Sequence, residues 1–257
     1  MNEKELVSII MPSYNTASYI AEAINSVQNQ TYTNWELIIV DDCSTDSTDD
    51  IVKKYLTDKR IKYFKKDSNS GAAISRNIAL KKASGKWIAF LDSDDMWARD
   101  KLEVQIEFMK KNGYHFSYTN YCEIDEKSNR TGKIITGPKH ISKVGMFSYC
   151  WPGCLTVMYD VDKVGLIQIE DIKKNNDYAM WLKVCKKTDC YLLNQILASY
   201  RRGRKGSISS QSYKNLIIWH YKLFKDANGY GVLKSQFLTA VNMFCGVVKK
   251  LLYVRRK

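Results

Sequence analysis

Apolar residues in this chain come in short bursts whose spacing alternates between two kinds. LVSIIMPSY (6–14) is a continuous apolar run with β-branched residues, closed by Pro12, which is the pattern of a buried strand. In ASYIAEAINSVQN (17–29), Ala17, Ile20, Ala23, Ile24 and Val27 recur at helical spacing, with Thr16 as a candidate N-cap. WELIIVDD (35–42) is a second buried strand that runs into two acids. A helix capped by Asp46 or Ser47 is expected to continue to about Leu56. IKYFKK (61–66) alternates like a less buried strand, and a helix is expected over 72–83, ended by Gly85. KWIAFLD is the next strand, 98–112 the next helix, stopped by Gly113, and HFSYTNYCEI (115–124) a further strand. Strands alternating with helices in this way predict βαβ units, a mainly parallel sheet and right-handed connections.

The segment 125–175 is less regular. It is polar at first, then holds an aromatic cluster, Phe147, Tyr149 and Trp151, before Pro152 and Gly153. CLTVMYDV is a candidate returning strand. NDYAMWLKVCKKT (176–188) reads as a helix with Met180, Leu182, Val184 and Cys185 near its buried side. There is no internal repeat and no low-complexity stretch.

Composition narrows the class. The 257 residues suffice for one large domain or a domain with an appendage, and a 45% hydrophobic content supports a core. No secretory leader pattern opens the chain, and no window approaches the roughly 18–20 continuous apolar residues of a membrane span. The expected compartment is therefore the cytosol. The seven cysteines are scattered without a CxxC pair, which fits reduced thiols. Cys150, Cys154 and His140 do not have the spacing of a zinc site. The net charge of +13 is uneven: residues 201–257 carry +12 of it, with Asp226 as their one acid. A basic tail on a near-neutral body predicts an anionic partner, whether nucleic acid, a membrane surface or a phosphorylated substrate.

Three expected strand ends carry chemistry. They are Pro12-Ser13-Tyr14-Asn15, Asp41-Asp42 and Asp92-Ser93-Asp94-Asp95. In open parallel sheets the ligand sits beyond the carboxyl ends of the strands, so these should converge on one crevice. Three carboxylates within four positions repel one another, and burying them is costly unless a cation joins them. Carboxylate oxygens are hard ligands, which points to a divalent metal. No GxGxxG follows the first strand and no GxxxxGK[ST] is present, which argues against a nicotinamide dehydrogenase and a P-loop enzyme.

SIIMPSYN (8–15), ELIIVDDCSTDST (36–48), NSGAAISRNIALKKASGKWIAFLDSDD (69–95), NDYAMWL (176–182) and ASYRRGRKGSISS (198–210) together resemble the inverting family-2 glycosyltransferases of the GT-A fold. The likeness covers about the first 210 residues and is nearest to short bacterial enzymes of O-antigen, capsule or other surface-glycan synthesis. It implies a Rossmann-like α/β domain over 1–210 with a basic helical extension over 211–257. It further implies a UDP-sugar donor framed by Pro12, Tyr14, Asp41 and Asp42, with Arg76 reaching the base or phosphates. Asp92-Ser93-Asp94 matches the DxD signature. Asp94 would ligate Mn2+ or Mg2+, and Asp92 the ribose or the metal's water shell. Asp95 is expected to cap the next helix. The family's catalytic base, commonly the second residue of Glu-Asp, falls at Asn176-Asp177, with Glu170-Asp171 as a rival. Asp177 is favoured because YAMWLKV follows it directly. One base opposite the leaving group implies inversion and a β-glycoside from an α-linked donor. The QxxRW motif and membrane spans of processive members are missing, so a single addition is expected.

The acceptor implied is a glycan or a polyprenyl-diphosphate-linked sugar, and Arg201, Arg202 and Arg204 are candidates to touch a diphosphate. Residues 216–253 mix aromatics and aliphatics with Lys and Arg. They suit an anionic membrane interface, peripheral on the inner face of the cell membrane, or alternatively a helix packed on its own domain. No nucleic-acid-binding motif is present, and no nucleic-acid partner is expected. Two rival functions remain at this stage: a metal-dependent nucleotidyltransferase, and a non-enzymatic basic protein of membranes or nucleic acid. MPSYNTASY is not the phosphate loop the first rival would want.

Overall fold

The computed structural model describes residues 5–172, 174–203 and 213–256. In chain order the elements are β1 Val7–Ser13, α1 Ile20–Gln28, β2 Trp35–Asp41, α2 Thr48–Lys53, β3 Ile61–Lys65, α3 Ala72–Lys82, β4 Trp87–Phe90, β5 Met96–Trp97 and α4 Lys101–Asn112. They continue as β6 Phe116–Ile124, β7 Arg130–Ile135, β8 His140–Ile141, β9 Met158–Asp160, α5 Val161–Val164, α6 Asn176–Cys185 and β10 Cys190–Arg201. The tail holds α7 Tyr213–Lys222, a π-helical turn Leu223–Ala227, α8 Val232–Leu252 and β11 Val254–Arg256.

The strands form one sheet in the order β11-β7-β6-β9-β4-β1-β2-β3, with β10 alongside β6. β3, β2, β1 and β4 run parallel. β9 is inserted antiparallel between β4 and β6, so CLTVMYDV does return to the sheet, but only through its last three residues before Val161. β6 and β10 are again parallel.

The apolar runs are continuous because every residue of β1, β2 and β4 is buried. Alternate side chains serve different layers. Ile10, Ile38, Val40 and Phe90 join Leu80 of α3 and Trp181 of α6 on one face. Ile9, Leu37, Ile39 and Ala89 join Ile24 of α1 and Ile106 of α4 on the other. α6 is buried on more than the one side expected, since Tyr178 meets His220 and Phe224 from the tail while Trp181 meets Phe90.

Element ends differ from the sequence expectations for local reasons. α1 starts at Ile20, because the Thr16 carbonyl accepts the amides of Tyr19 and Ile20 in a preceding turn. Asp100, not Asp95, occupies the N-cap position of α4, because the short β5 separates Asp95 from that helix. Gly113 ends α4 in the left-handed conformation, with φ 66°. The expected domain boundary at 210 lies outside the described residues. β11 pairs with β7, and the Thr136 amide bonds the Tyr253 carbonyl at 2.9 Å, so the last described residues share the main sheet.

Gly85 shows how tightly β1 and β4 are joined. A Cβ there would lie 2.6 Å from the Ser8 nitrogen and 2.7 Å from the Leu6 carbonyl oxygen, both backbone atoms. Gly85→Ala should therefore destabilise the fold by about 1–3 kcal/mol, the usual range for overpacking. Urea unfolding followed by circular dichroism measures this, and an unchanged midpoint would contradict the close approach.

Candidate active site

The carboxyl ends of β1, β2 and β4 lie side by side at one edge of the sheet. Pro12 is buried opposite Val40, and β4 has already ended beside it: the Leu91 amide bonds the Ile10 carbonyl at 3.1 Å. The missing N–H of Pro12 thus breaks no ladder bond. Tyr14 follows, 43% exposed. Asn15 takes a left-handed φ of 50°, which lets its carboxamide oxygen accept the Thr45 amide at 2.8 Å. The Asn15 amide donates to the Ser44 hydroxyl at 2.9 Å, and the Ala17 amide to Asp46 at 3.0 Å. These bonds stitch the loop after β1 to the loop after β2.

The two acids ending β2 face different tasks. Asp41 is fully buried, and its carboxylate accepts from the Ser44 hydroxyl and, at 3.1 Å, from Tyr63. Those internal partners occupy it. Asp42 accepts the amides of Ser70 at 3.0 Å and Gly71 at 2.7 Å, and pairs with Lys66. It thereby caps the N-terminus of α3, which has no side-chain cap of its own. Burial pushes the Asp42 pKa up, but Lys66 and the two amides outweigh it and leave the carboxyl below its ordinary value.

Arg76 on α3 is the centre of the arrangement. It is buried, and its guanidinium donates to Asp92 at 2.5 Å and to the Asn176 carboxamide oxygen at 3.0 Å. The first acid of the DxD stretch is thus tied directly to the residue before Asp177. Asp177 is half-buried at the start of α6, where it accepts its neighbour Tyr178's amide at 2.8 Å. Burial raises its pKa, more than the Arg76 charge and the Tyr178 amide lower it, and the Asp92 charge adds to the rise. A half-buried carboxylate with a raised pKa beside a fixed cation is equipped to take a proton. The rival acids are placed elsewhere: Asp171 is exposed, and Glu170 pairs with Lys183 at 2.6 Å.

Asp94 is half-buried, and Asp95 is 1% exposed. Asp95 accepts the Arg201 amide at 2.8 Å instead of capping α4. Burial first, then the charges of Asp94 and Asp92, push the Asp95 pKa well above the usual range. Negative potential is therefore concentrated here, which suits a divalent cation. Asp92 and Asp94 are the partly exposed hard-oxygen donors of the stretch. Among the described residues, no group of three or more His, Cys, Asp or Glu side chains is arranged to hold a metal. The protein would supply only part of a ligand sphere, and an anionic substrate would complete it.

Arg201 corrects an expectation. It is 2% exposed and belongs to the scaffold: its guanidinium bonds the Asp94 carbonyl at 2.8 Å, the Asp125 carbonyl at 3.0 Å and Glu22 at 2.6 Å. It brackets the loop 92–95 from behind, and its side chain has no exposed surface to offer a diphosphate. Arg202 pairs with Glu123 at 3.0 Å, and Arg204 lies outside the described residues. Sequence reasoning missed Lys66 as the partner of Asp42, and missed the bracing roles of Asn176 and Arg201. Lys66 could have been found, since it follows β3 as the acids follow β2 and β4. Asn176 and Arg201 carry no such signal.

Known proteins share this architecture. The family model described as Glycosyl transferase family 2 matches residues 8–155. The putative teichuronic acid biosynthesis glycosyltransferase TuaG of Bacillus subtilis is 44% identical over 83% of this chain and 85% of its own length. The Escherichia coli protein WfgD, named a UDP-Glc:alpha-D-GlcNAc-diphosphoundecaprenol beta-1,3-glucosyltransferase, is 43% identical over 82% of each chain. Among solved structures, S. aureus TarS residues 1–349 superimposes with a TM-score of 0.69 at 20% identity, over 93% of this chain and 71% of that one. A Pyrobaculum calidifontis mannosyltransferase, solved with GDP-Man and Mn2+, gives 0.66 at 17% identity, over 92% and 70%. The parallel strands and their flanking helices belong to a GT-A fold, and the chain belongs to glycosyl transferase family 2.

Proposed function

We propose that this glycosyltransferase is metal-dependent and inverting, and moves one sugar from a UDP-sugar to a hydroxyl of a lipid-linked surface-glycan acceptor, forming a β-glycosidic bond. The observation that carries the reading is the Asp92–Arg76–Asn176 bridge. It joins Asp92 at the end of β4 to Asn176, the residue before Asp177, at the start of α6. The names of WfgD and WfaP, at 43% and 42% identity, support a UDP-sugar donor and an undecaprenyl-diphosphate acceptor, and make UDP-glucose the first donor to try.

In this reading Pro12, Tyr14 and Asp42 border the nucleoside, and Asp41 shapes the same loop from beneath. Asp92 and Asp94 would hold Mn2+ or Mg2+, which would neutralise the leaving diphosphate. Arg76 keeps Asp92 in place and moderates the pKa of Asp177. The acceptor hydroxyl attacks C1 of the sugar, its proton passes to an Asp177 carboxylate oxygen, and the C1–O bond to UDP breaks on the opposite side. Displacement from the far side inverts C1. Residues 1–210 carry this chemistry, and 211–257 form an extension that meets the anionic inner face of the membrane, where such an acceptor is held.

Asp94→Asn should keep the fold and abolish metal-dependent UDP binding, since it removes a ligand charge from a cation with few protein ligands. Calorimetric titration with UDP in Mn2+ measures this, with EDTA-treated wild type as the matching control. Unchanged affinity in the variant would overturn the metal assignment.

Asp177→Asn should lower transfer by roughly 10²- to 10⁴-fold with donor binding nearly unchanged, because the amide cannot accept the proton. Asp171→Asn should be mild. The pH profile carries the sign: the ionised carboxylate is the active form and burial raises its pKa. Turnover should therefore fall on acidification through a pH above that of an ordinary aspartate. UDP release against pH reads both effects. A dead Asp171→Asn beside an active Asp177→Asn would reassign the base.

A further inference from the structure

α8 is amphipathic the wrong way round. A helix packed on a soluble domain ordinarily turns its apolar stripe inward and its polar side to water. Here Ser235, Thr239 and Asn242 are buried against the domain, while Leu233, Phe237, Phe244, Val247 and Leu251 point outward, at exposures from 56% to 82%. Their spacing follows the helical period, so they form one stripe. The inner side is firmly anchored. Asn242 donates to the Phe147 carbonyl at 2.8 Å, Lys249 to the carbonyls of Trp151 at 2.9 Å and Cys150 at 3.3 Å, and Tyr149 packs against Gly246. This leaves the outer stripe with no covering element among the described residues.

The charges around the stripe select its occupant. α8 contains no acidic residue. By the helical period Lys234 lies on one flank of the stripe and Lys250 on the other, and the exposed Arg255 and Arg256 follow. An apolar stripe between two cationic flanks matches a bilayer, whose acyl region takes the phenylalanines while its headgroups take the ammonium groups of snorkelling lysines. Among the described residues no helix is long and apolar enough to cross a membrane, so the helix would lie in the interface plane.

We infer that the outward face of α8, centred on Phe237 and Phe244 and flanked by Lys234 and Lys250, inserts into the surface of an anionic lipid bilayer. The inner face fixes the orientation of what is docked. Segment 146–151, which α8 grips at Phe147, Cys150 and Trp151 through Asn242 and Lys249, also accepts the hydroxyl of Tyr178, the residue after Asp177, at the Met146 carbonyl (2.7 Å). The bilayer-facing helix and the proposed base are thus held in one packed unit. The inference rests on the proposed function only for the meaning of that orientation; the docking itself needs neither donor nor acceptor.

The test is flotation of the full chain with phosphatidylcholine vesicles, with and without phosphatidylglycerol, in the absence of any sugar nucleotide. Wild type should bind the phosphatidylglycerol vesicles and retain part of that binding in high salt. Phe237→Ser with Phe244→Ser should weaken it by about tenfold or more and abolish the salt-resistant part. Lys234→Gln with Lys250→Gln should weaken binding to anionic vesicles about tenfold or more, from roughly 1 kcal/mol per cation, and leave neutral vesicles unaffected. Phe237 and Phe244 are exposed, so circular dichroism and transfer to a soluble acceptor should not change in the serine pair. Absence of vesicle binding by wild type, or binding that the serine pair leaves intact, would overturn the inference. So would a dimer in light scattering that the serine pair dissolves, since a second copy would then cover the stripe. Inactive protein that still floats would leave the docking standing and refute the proposed function alone.

Discussion

One buried cation holds the site together. Arg76 sits on α3 among carboxylates that would repel one another without it, and it forks between Asp92 and Asn176. A buried guanidinium needs an opposite charge, which Asp92 supplies at one terminal nitrogen while Asn176 accepts from the other and Nε stays without a partner; loss of Asp92 would leave the cation uncompensated. The helix that carries it is itself tied down by the neighbouring strand, because Asp42 caps its first turn through the amides of Ser70 and Gly71. The end of β2, the start of α3, the end of β4 and the start of α6 are therefore linked by charge-assisted hydrogen bonds.

The same economy governs the loops. A parallel sheet delivers strand ends to one edge but does not shape the loops that follow. Here the shaping is done by polar side chains: Asn15 and Asp46 join the first two loops, and Arg201 braces the Asp94–Asp95 turn from behind against Glu22 and the Asp125 carbonyl. Several residues that look like ligands in a list of charges are thus braces. Asp41, Asp95 and Arg201 are all buried, and each spends its hydrogen-bonding capacity inside the protein.

The tail is neither a loose appendage nor a plain packing helix. β11 extends the sheet, and α8 grips segment 147–151 through buried polar groups. Its outer stripe stays apolar. Such a division leaves the helix a narrow apolar attachment through Leu238 and Cys245, which the hydrogen bonds of Asn242 and Lys249 reinforce.

Much of the fold was legible in the chain because periodicity and burial are local. Continuous runs such as LVSIIMPSY and WELIIVDD need both faces covered, and only a sheet between helix layers provides that. The loaded strand ends were legible for the same reason: Asp41-Asp42 and Asp92 to Asp95 stand where apolar runs stop. Asp177 was found only by resemblance, since a lone acid before an apolar helix has many explanations. What the sequence determined by itself was the element order from β1 to β6, apart from the short β5, and the parallel core. Tertiary structure alone decided that Asp41 and Asp95 are buried against internal partners, that Arg76 reaches Asn176 one hundred positions away, that Arg201 points inward, and that α8 turns its apolar side out. Those outcomes depend on which partners lie within hydrogen-bonding distance in space, and no periodicity along the chain encodes that distance.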